Sequence, residues 1–131
     1  MKLTAPKKLH SAACKARRKA HAPYSRFRVG AALSSDLGVF TGCNVENVSF
    51  GGTICAERTA FLKAISEGAK KFTSIMIVTE GAVPPCALCL QTMVEFCGPN
   101  FKIYLADPKS IKAEYDFSTL LPLGFGPRKF P

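Results

Sequence analysis

The sequence predicts an α/β protein: a three-layer α/β/α sandwich with a mixed sheet of about five strands, formed by residues 1–131 as a single domain. Three observations predict it. The chain has 131 residues and is 47% hydrophobic, enough apolar material for one core and too little length for two domains. Its apolar periodicity changes in the order helix, hairpin, helix, strand, helix, strand, which calls for a mixed sheet with helices on its faces. The segment 72–79 is an almost continuous apolar run with β-branched residues, as a strand covered on both faces requires.

The first helix spans about 6–20. Leu9, Ala13, Ala16 and Ala20 fall on one side and Lys8, Lys15, Arg18 and Lys19 on the other, an apolar stripe under a solvated face. Ala22-Pro23-Tyr24-Ser25 stops it. In 27–34, Phe27, Val29, Ala31 and Leu33 alternate, so this is a strand. Asp36-Leu37-Gly38 turns the chain into a second strand, 39–45, which makes a hairpin. A Gly-containing loop follows over 47–53. Segment 55–67 is helical, with Ala56, Ala60, Phe61, Ala64 and Ile65 on one face and Gly68 as terminator. Strand 72–79 leads through Pro84-Pro85 into a helix at 86–96, where proline suits the start. A strand at 101–106 and a short helix at 117–121 precede a Pro- and Gly-rich tail.

The formal charge is +9, and nine of the eighteen basic residues precede position 30. The basic residues from Lys2, Lys7 and Lys8 to Lys19 carry no interleaved aromatics of the kind single-strand nucleic-acid surfaces use. They are the polar face of an amphipathic helix, and nucleic acid is not the expected partner. No run is long enough to span a bilayer. Charges occupy the place where a secretion signal would need its apolar core. A cytoplasmic protein with reduced thiols is expected.

Six cysteines stand at 14, 43, 55, 86, 89 and 97. Cys14, Cys43 and Cys97 lie among apolar neighbours and read as small buried hydrophobes. The chemistry lies in Cys55-Ala56-Glu57 and Pro85-Cys86-Ala87-Leu88-Cys89. Cys86 and Cys89, three apart at a helix start, share one side of its first turn. Cys55 opens the other helix. Helix N-termini favour thiolates through their unpaired amides and dipole. Two such termini facing each other bring three thiolates to one point, and three ligands leave one tetrahedral position open, as in a catalytic zinc site. A Cys-x-x-Cys redox pair is a weaker reading, because two prolines precede Cys86. A structural zinc site needs a fourth ligand, for which Cys43 and Cys97 are the candidates. Glu57, two residues past Cys55, is placed to move protons beside the metal. Ligand-x-Glu followed by Pro-Cys-x-x-Cys is the signature of zinc deaminases, which allows a three-Cys form.

With these residues the chain resembles the small, homotetrameric-type zinc-dependent cytidine deaminases over nearly its whole length. Ala22-Pro23-Tyr24-Ser25, Phe27-Arg28-Val29-Gly30-Ala31-Ala32-Leu33, Phe40-Thr41-Gly42-Cys43-Asn44-Val45-Glu46-Asn47, Cys55-Ala56-Glu57-Arg58-Thr59-Ala60 and the tail from Leu120-Leu121-Pro122 to Pro127 are similar to that family's motifs, in its order. The resemblance implies a cytidine deaminase-like fold. It also implies hydrolysis of free cytidine or deoxycytidine to uridine or deoxyuridine plus ammonia, in pyrimidine salvage. It implies one Zn²⁺ per chain on Cys55, Cys86 and Cys89, with Glu57 as the catalytic proton shuttle. Asn44 and Glu46 would bind the ribose, Phe27 would pack on the pyrimidine and Ala56 would offer backbone groups to the base. Arg58 would offset thiolate charge. A homotetramer is implied, with Phe125 reaching a neighbouring subunit's pocket. Two features depart from the family: Ala87 and Leu90 stand where Gly and Arg are usual, and Phe50-Gly51-Gly52-Thr53 where Tyr-Pro is common. Both bear on subunit contacts, the pocket rim and substrate range, and neither touches the zinc motif.

Overall fold

The computed structural model describes residues 4–127. Lys2, and the ends of the domain expected over 1–131, lie outside the described residues. Five strands form one sheet: β1 (Gly30–Ser35), β2 (Gly38–Cys43), β3 (Phe72–Val78), β4 (Lys102–Ala106) and β5 (Ile111–Asp116), in the order β2-β1-β3-β4-β5. β3 and β4 are parallel and the other pairs antiparallel, so the sheet is mixed as expected. Helix α1 (Pro6–Arg17) covers one face. Helices α2 (Ala56–Ser66) and α3 (Ala87–Phe96) cover the other, and α4 (Phe117–Leu120) follows β5.

The apolar periods fix which face each helix buries. Leu9 and Ala13 of α1 are fully buried against Ala32, Met76, Val78 and Ala106. On the other face, Phe61 of α2 centres the larger core, its ring 5.2 Å from Phe72 and 6.0 Å from Phe101. Gly68, at φ +100°, ends α2 in the left-handed region.

Two glycines let the helices come this close. A Cβ on Gly30 would lie 2.1 Å from the Ala13 carbonyl of α1. One on Gly42 would lie 2.5 Å from the Ala56 carbonyl and 2.7 Å from the Ala60 amide of α2. Both obstacles are backbone, which cannot swing aside. Gly42→Ala must therefore displace α2 and is expected to lower stability by about 3 kcal/mol, measured as a shifted urea midpoint. An unchanged midpoint would show that the helix is not held at this height by that contact.

Four differences from the sequence reading have physical causes. The helix expected over 6–20 ends at Arg17, and tighter i→i+3 bonds carry the chain on to Ala20. The strand expected from Phe27 starts at Gly30, because the Asn44 side chain takes the Val29 amide and the Phe27 carbonyl. β5 is not among the strands expected from the sequence: Ile111, Ala113 and Tyr115 alternate with Lys112, Glu114 and Asp116, but the run is short, half charged and at an exposed edge. Cys14, Cys43 and Cys97 are only half-buried, although burial pushes the Cys97 thiol up to about 12.

Candidate active site

The first turns of α2 and α3 meet beside the larger core. Cys55 and Cys86 occupy the N-cap positions of these helices, with extended backbone at ψ 154° and 166°. Their side chains make no cap hydrogen bond, so both sulfurs are free to point away from the helices. Cys89 follows one turn later and is 1% exposed. The Cys55 and Cys86 sulfurs are 3.7 Å apart and those of Cys86 and Cys89 3.4 Å. All three lie within 4.8 Å of one another.

These spacings suit a tetrahedral zinc. With Zn–S bonds near 2.3 Å, sulfurs at two corners stand about 3.8 Å apart. Cys43 and Cys97 are not part of the cluster, and among the described residues no fourth His, Cys, Asp or Glu joins it. The four-ligand structural alternative therefore lacks its ligand, and one corner is left to a small molecule.

The electrostatics follow from crowding and burial. Hydrogen bonding from the Cys89 thiol, aided by Arg58, holds Cys55 well below the ordinary thiol range. The same bond, burial and the Glu57 charge hold Cys89 above it. Arg58 Nη2 lies 3.5 Å from Cys55 Sγ and 3.4 Å from the Thr53 carbonyl, while its Nε is buried without a partner. Glu57, in the first turn of α2, is 5% exposed. Burial, reinforced by the neighbouring Cys55 charge, pushes its carboxyl up to about 7.

Asn44 and Glu46, at the end of β2 and just beyond it, reach back across the hairpin to the loop that carries Phe27. Buried Asn44 accepts the Val29 N–H at 2.8 Å and donates to the Phe27 carbonyl at 2.8 Å. Glu46 accepts the amides of Tyr24 at 2.9 Å and Ser25 at 3.1 Å, and the Ser25 hydroxyl. The hydroxyl bond, with the two amides, holds the Glu46 carboxyl below its usual range. Ser25 Oγ also accepts the Phe27 N–H at 3.0 Å. Between them Arg26 sits at φ +59°, a left-handed conformation for a non-glycine residue. Ser25 was visible in the sequence only as part of a motif; its role as anchor follows from contacts 21 residues apart. Phe27 is partly exposed, Ala56 is fully buried, and Phe125 is exposed while its carbonyl accepts Gln91 Nε2 at 2.6 Å.

Comparison with known proteins agrees with this geometry. Residues 3–105 match the cytidine and deoxycytidylate deaminase zinc-binding region. A cytidine deaminase of Sporosarcina psychrophila is 45% identical over 121 residues, covering 90% of this chain and 89% of that protein. One from Halalkalibacterium halodurans is 47% identical over 116 residues, covering 86% and 88%. The 1.6 Å crystal structure of cytidine deaminase from Burkholderia pseudomallei superposes with a TM-score of 0.87 at 41% identity, over 93% of this chain and all of that one. That of Mycobacterium tuberculosis gives 0.79 at 35% identity, over 95% and 99%. A family match across most of the chain, with whole-length relatives behind it, leaves one assignment: this chain belongs to the zinc-binding cytidine and deoxycytidylate deaminase family.

Proposed function

We propose that this protein hydrolyses free cytidine and deoxycytidine to uridine and deoxyuridine, releasing ammonia. One observation carries the proposal: a three-sulfur cluster with an open fourth corner, next to a buried carboxyl. Cys55, Cys86 and Cys89 hold the zinc, which when bound acts as a Lewis acid and makes hydroxide available near neutral pH. Glu57 accepts a proton from the attacking water and delivers it to pyrimidine N3 as the oxygen adds to C4. It then carries the C4 hydroxyl proton to the amino group; the C–N bond breaks, C4 becomes a carbonyl and ammonia leaves. A carboxyl whose affinity for protons lies near neutrality suits both transfers. Arg58 steadies the Cys55 thiolate against the charge of the cluster.

Phe27 packs on the pyrimidine and Ala56 offers its backbone to the base. Asn44 and Glu46 serve the ribose while holding the Phe27 loop. Glu46 uses three of roughly four acceptor sites on the loop, and Asn44 keeps one donor and one acceptor in reserve. Glu46→Ala is expected to reduce kcat/KM by about 10- to 100-fold, chiefly through KM. Steady-state kinetics with an unchanged KM would remove Glu46 from the sugar contacts.

A single chain leaves Val48, Phe50, Leu88 and Phe125 exposed, with Leu88 between two zinc ligands. Large exposed apolar groups around a site mark a contact surface, and the proposed cover is further copies of this chain in a homotetramer, Phe125 reaching a neighbour's pocket. Light scattering that returned a monomer would overturn it. Six free cysteines suit a reducing cytoplasm and a role in pyrimidine salvage; no described helix is long and apolar enough to cross a membrane. The deciding assay is ammonia release from cytidine and deoxycytidine by zinc-loaded protein. Turnover of either is expected; a fully loaded protein that turns over neither would refute the substrate assignment.

A further inference from the structure

Ligand chemistry also converges at the free edge of the sheet. β2 is the outermost strand, bonded to β1 alone. Along it runs a groove of about 380 Å³. Lys15 and Lys19 enter from α1 and the turn after it, Thr41 and Cys43 from β2, and Thr59 and Lys63 from α2. No carboxylate lines this groove. Among the described residues Lys15, Lys19 and Lys63 have no acidic partner, and all three are exposed.

The strand adds donors of its own. The Asn44 N–H bonds inward to the Val29 carbonyl. Amide direction alternates along an antiparallel strand, so the N–H groups of Thr41 and Cys43, with their carbonyls, face the free edge in the wall of the groove. Three cations and two backbone N–H groups thus share one depression with the two carbonyls of the same residues and no carboxylate to balance the charge. Lysine meets phosphate as a point charge. The volume lies at the low end of ligand sites, about 300–1,000 Å³, which admits a small molecule and not a folded partner.

The geometry points to an anion site for a small phosphorylated molecule, a nucleotide or pyrophosphate itself, on the β2 edge and separate from the deamination site. Its occupant touches both elements that carry the chemistry. β2 runs into Asn44, and Thr59 donates to the Cys55 carbonyl at 3.1 Å.

The test is calorimetric titration of the zinc-loaded full chain at low ionic strength with two probes, ADP and inorganic pyrophosphate, checking zinc content after each run. The variant Lys15→Gln/Lys19→Gln/Lys63→Gln is compared with Lys70→Gln/Lys71→Gln/Lys109→Gln, which removes equal charge elsewhere. One site per chain is expected for at least one probe, weakened at least about tenfold in the groove variant and less than about twofold in the control. Binding of ADP alone identifies a nucleotide site; equal binding of both identifies the phosphate as the whole determinant. The proposal falls if neither probe saturates by about 10 mM, or if both variants weaken binding equally, which is the mark of a diffuse positive field.

Discussion

Glu57→Gln is expected to lower kcat by about 10²- to 10⁴-fold while zinc stays at one per chain. The amide keeps the shape of the carboxyl and can neither take the water's proton nor pass it to N3. Because Glu57 is not among the clustered sulfur ligands, the metal has no reason to leave. Zinc content and ammonia release measured on one preparation separate the two effects. Near-normal turnover would remove Glu57 from proton transfer, and lost zinc would make it a ligand. The apo-protein adds a pH signature. Burial raises the Glu57 pKa in the folded chain from 4.5 to about 7, so the folded state binds the extra proton between those values. The stability gained from this group is complete below pH 4.5 and lost as pH rises through about 7. Glu57→Gln lacks that loss, so the gap between the two melting curves should widen in its favour from pH 5 to 7.

The second large effect separates two ligands of the same metal. Cys86→Ala and Cys89→Ala should both reduce zinc to background and abolish turnover. Loss of zinc at a thousandfold excess over Kd removes about 4 kcal/mol of stability from either. The apo-proteins should then part. Cys86 is exposed, and its truncation costs the empty protein little. Cys89 is 1% exposed and packs in the larger core, so its loss opens a void and lowers the apo-protein's stability by on the order of 1 kcal/mol. Equal apo stabilities would show that Cys89 is a ligand and nothing more.

Much of this architecture can be read from residue periods. Leu9, Ala13 and Ala16 set the buried side of α1, and Ala56, Ala60, Phe61 and Ala64 that of α2. The spacing Cys86-x-x-Cys89 after two prolines placed two sulfurs at a helix start without any knowledge of the sheet. β5 escaped because a six-residue run with a charge at every second position is too short and too polar to stand out from the charged loop around it. The attachment of Asn44 and Glu46 to the Phe27 loop escaped for another reason. Those bonds join residues 15 to 22 positions apart and depend on how the hairpin folds back. A motif identifies such side chains; only the folded backbone assigns their partners.

The separation of the sulfurs has a consequence for how metal is acquired. Cys55 and Cys86 are 31 positions apart, and α2 and β3 lie between them. Bringing the ends of such a loop together in an unfolded chain costs roughly 3 kcal/mol of entropy. In this fold the core around Phe61 closes that loop, so zinc arrives at a preorganised chelate. Its affinity for the third sulfur is then set by the fraction of chains already folded. A chelator competition run in increasing urea would report on folding itself, and any substitution that loosens α2 on the sheet, however far from sulfur, would register as weaker metal.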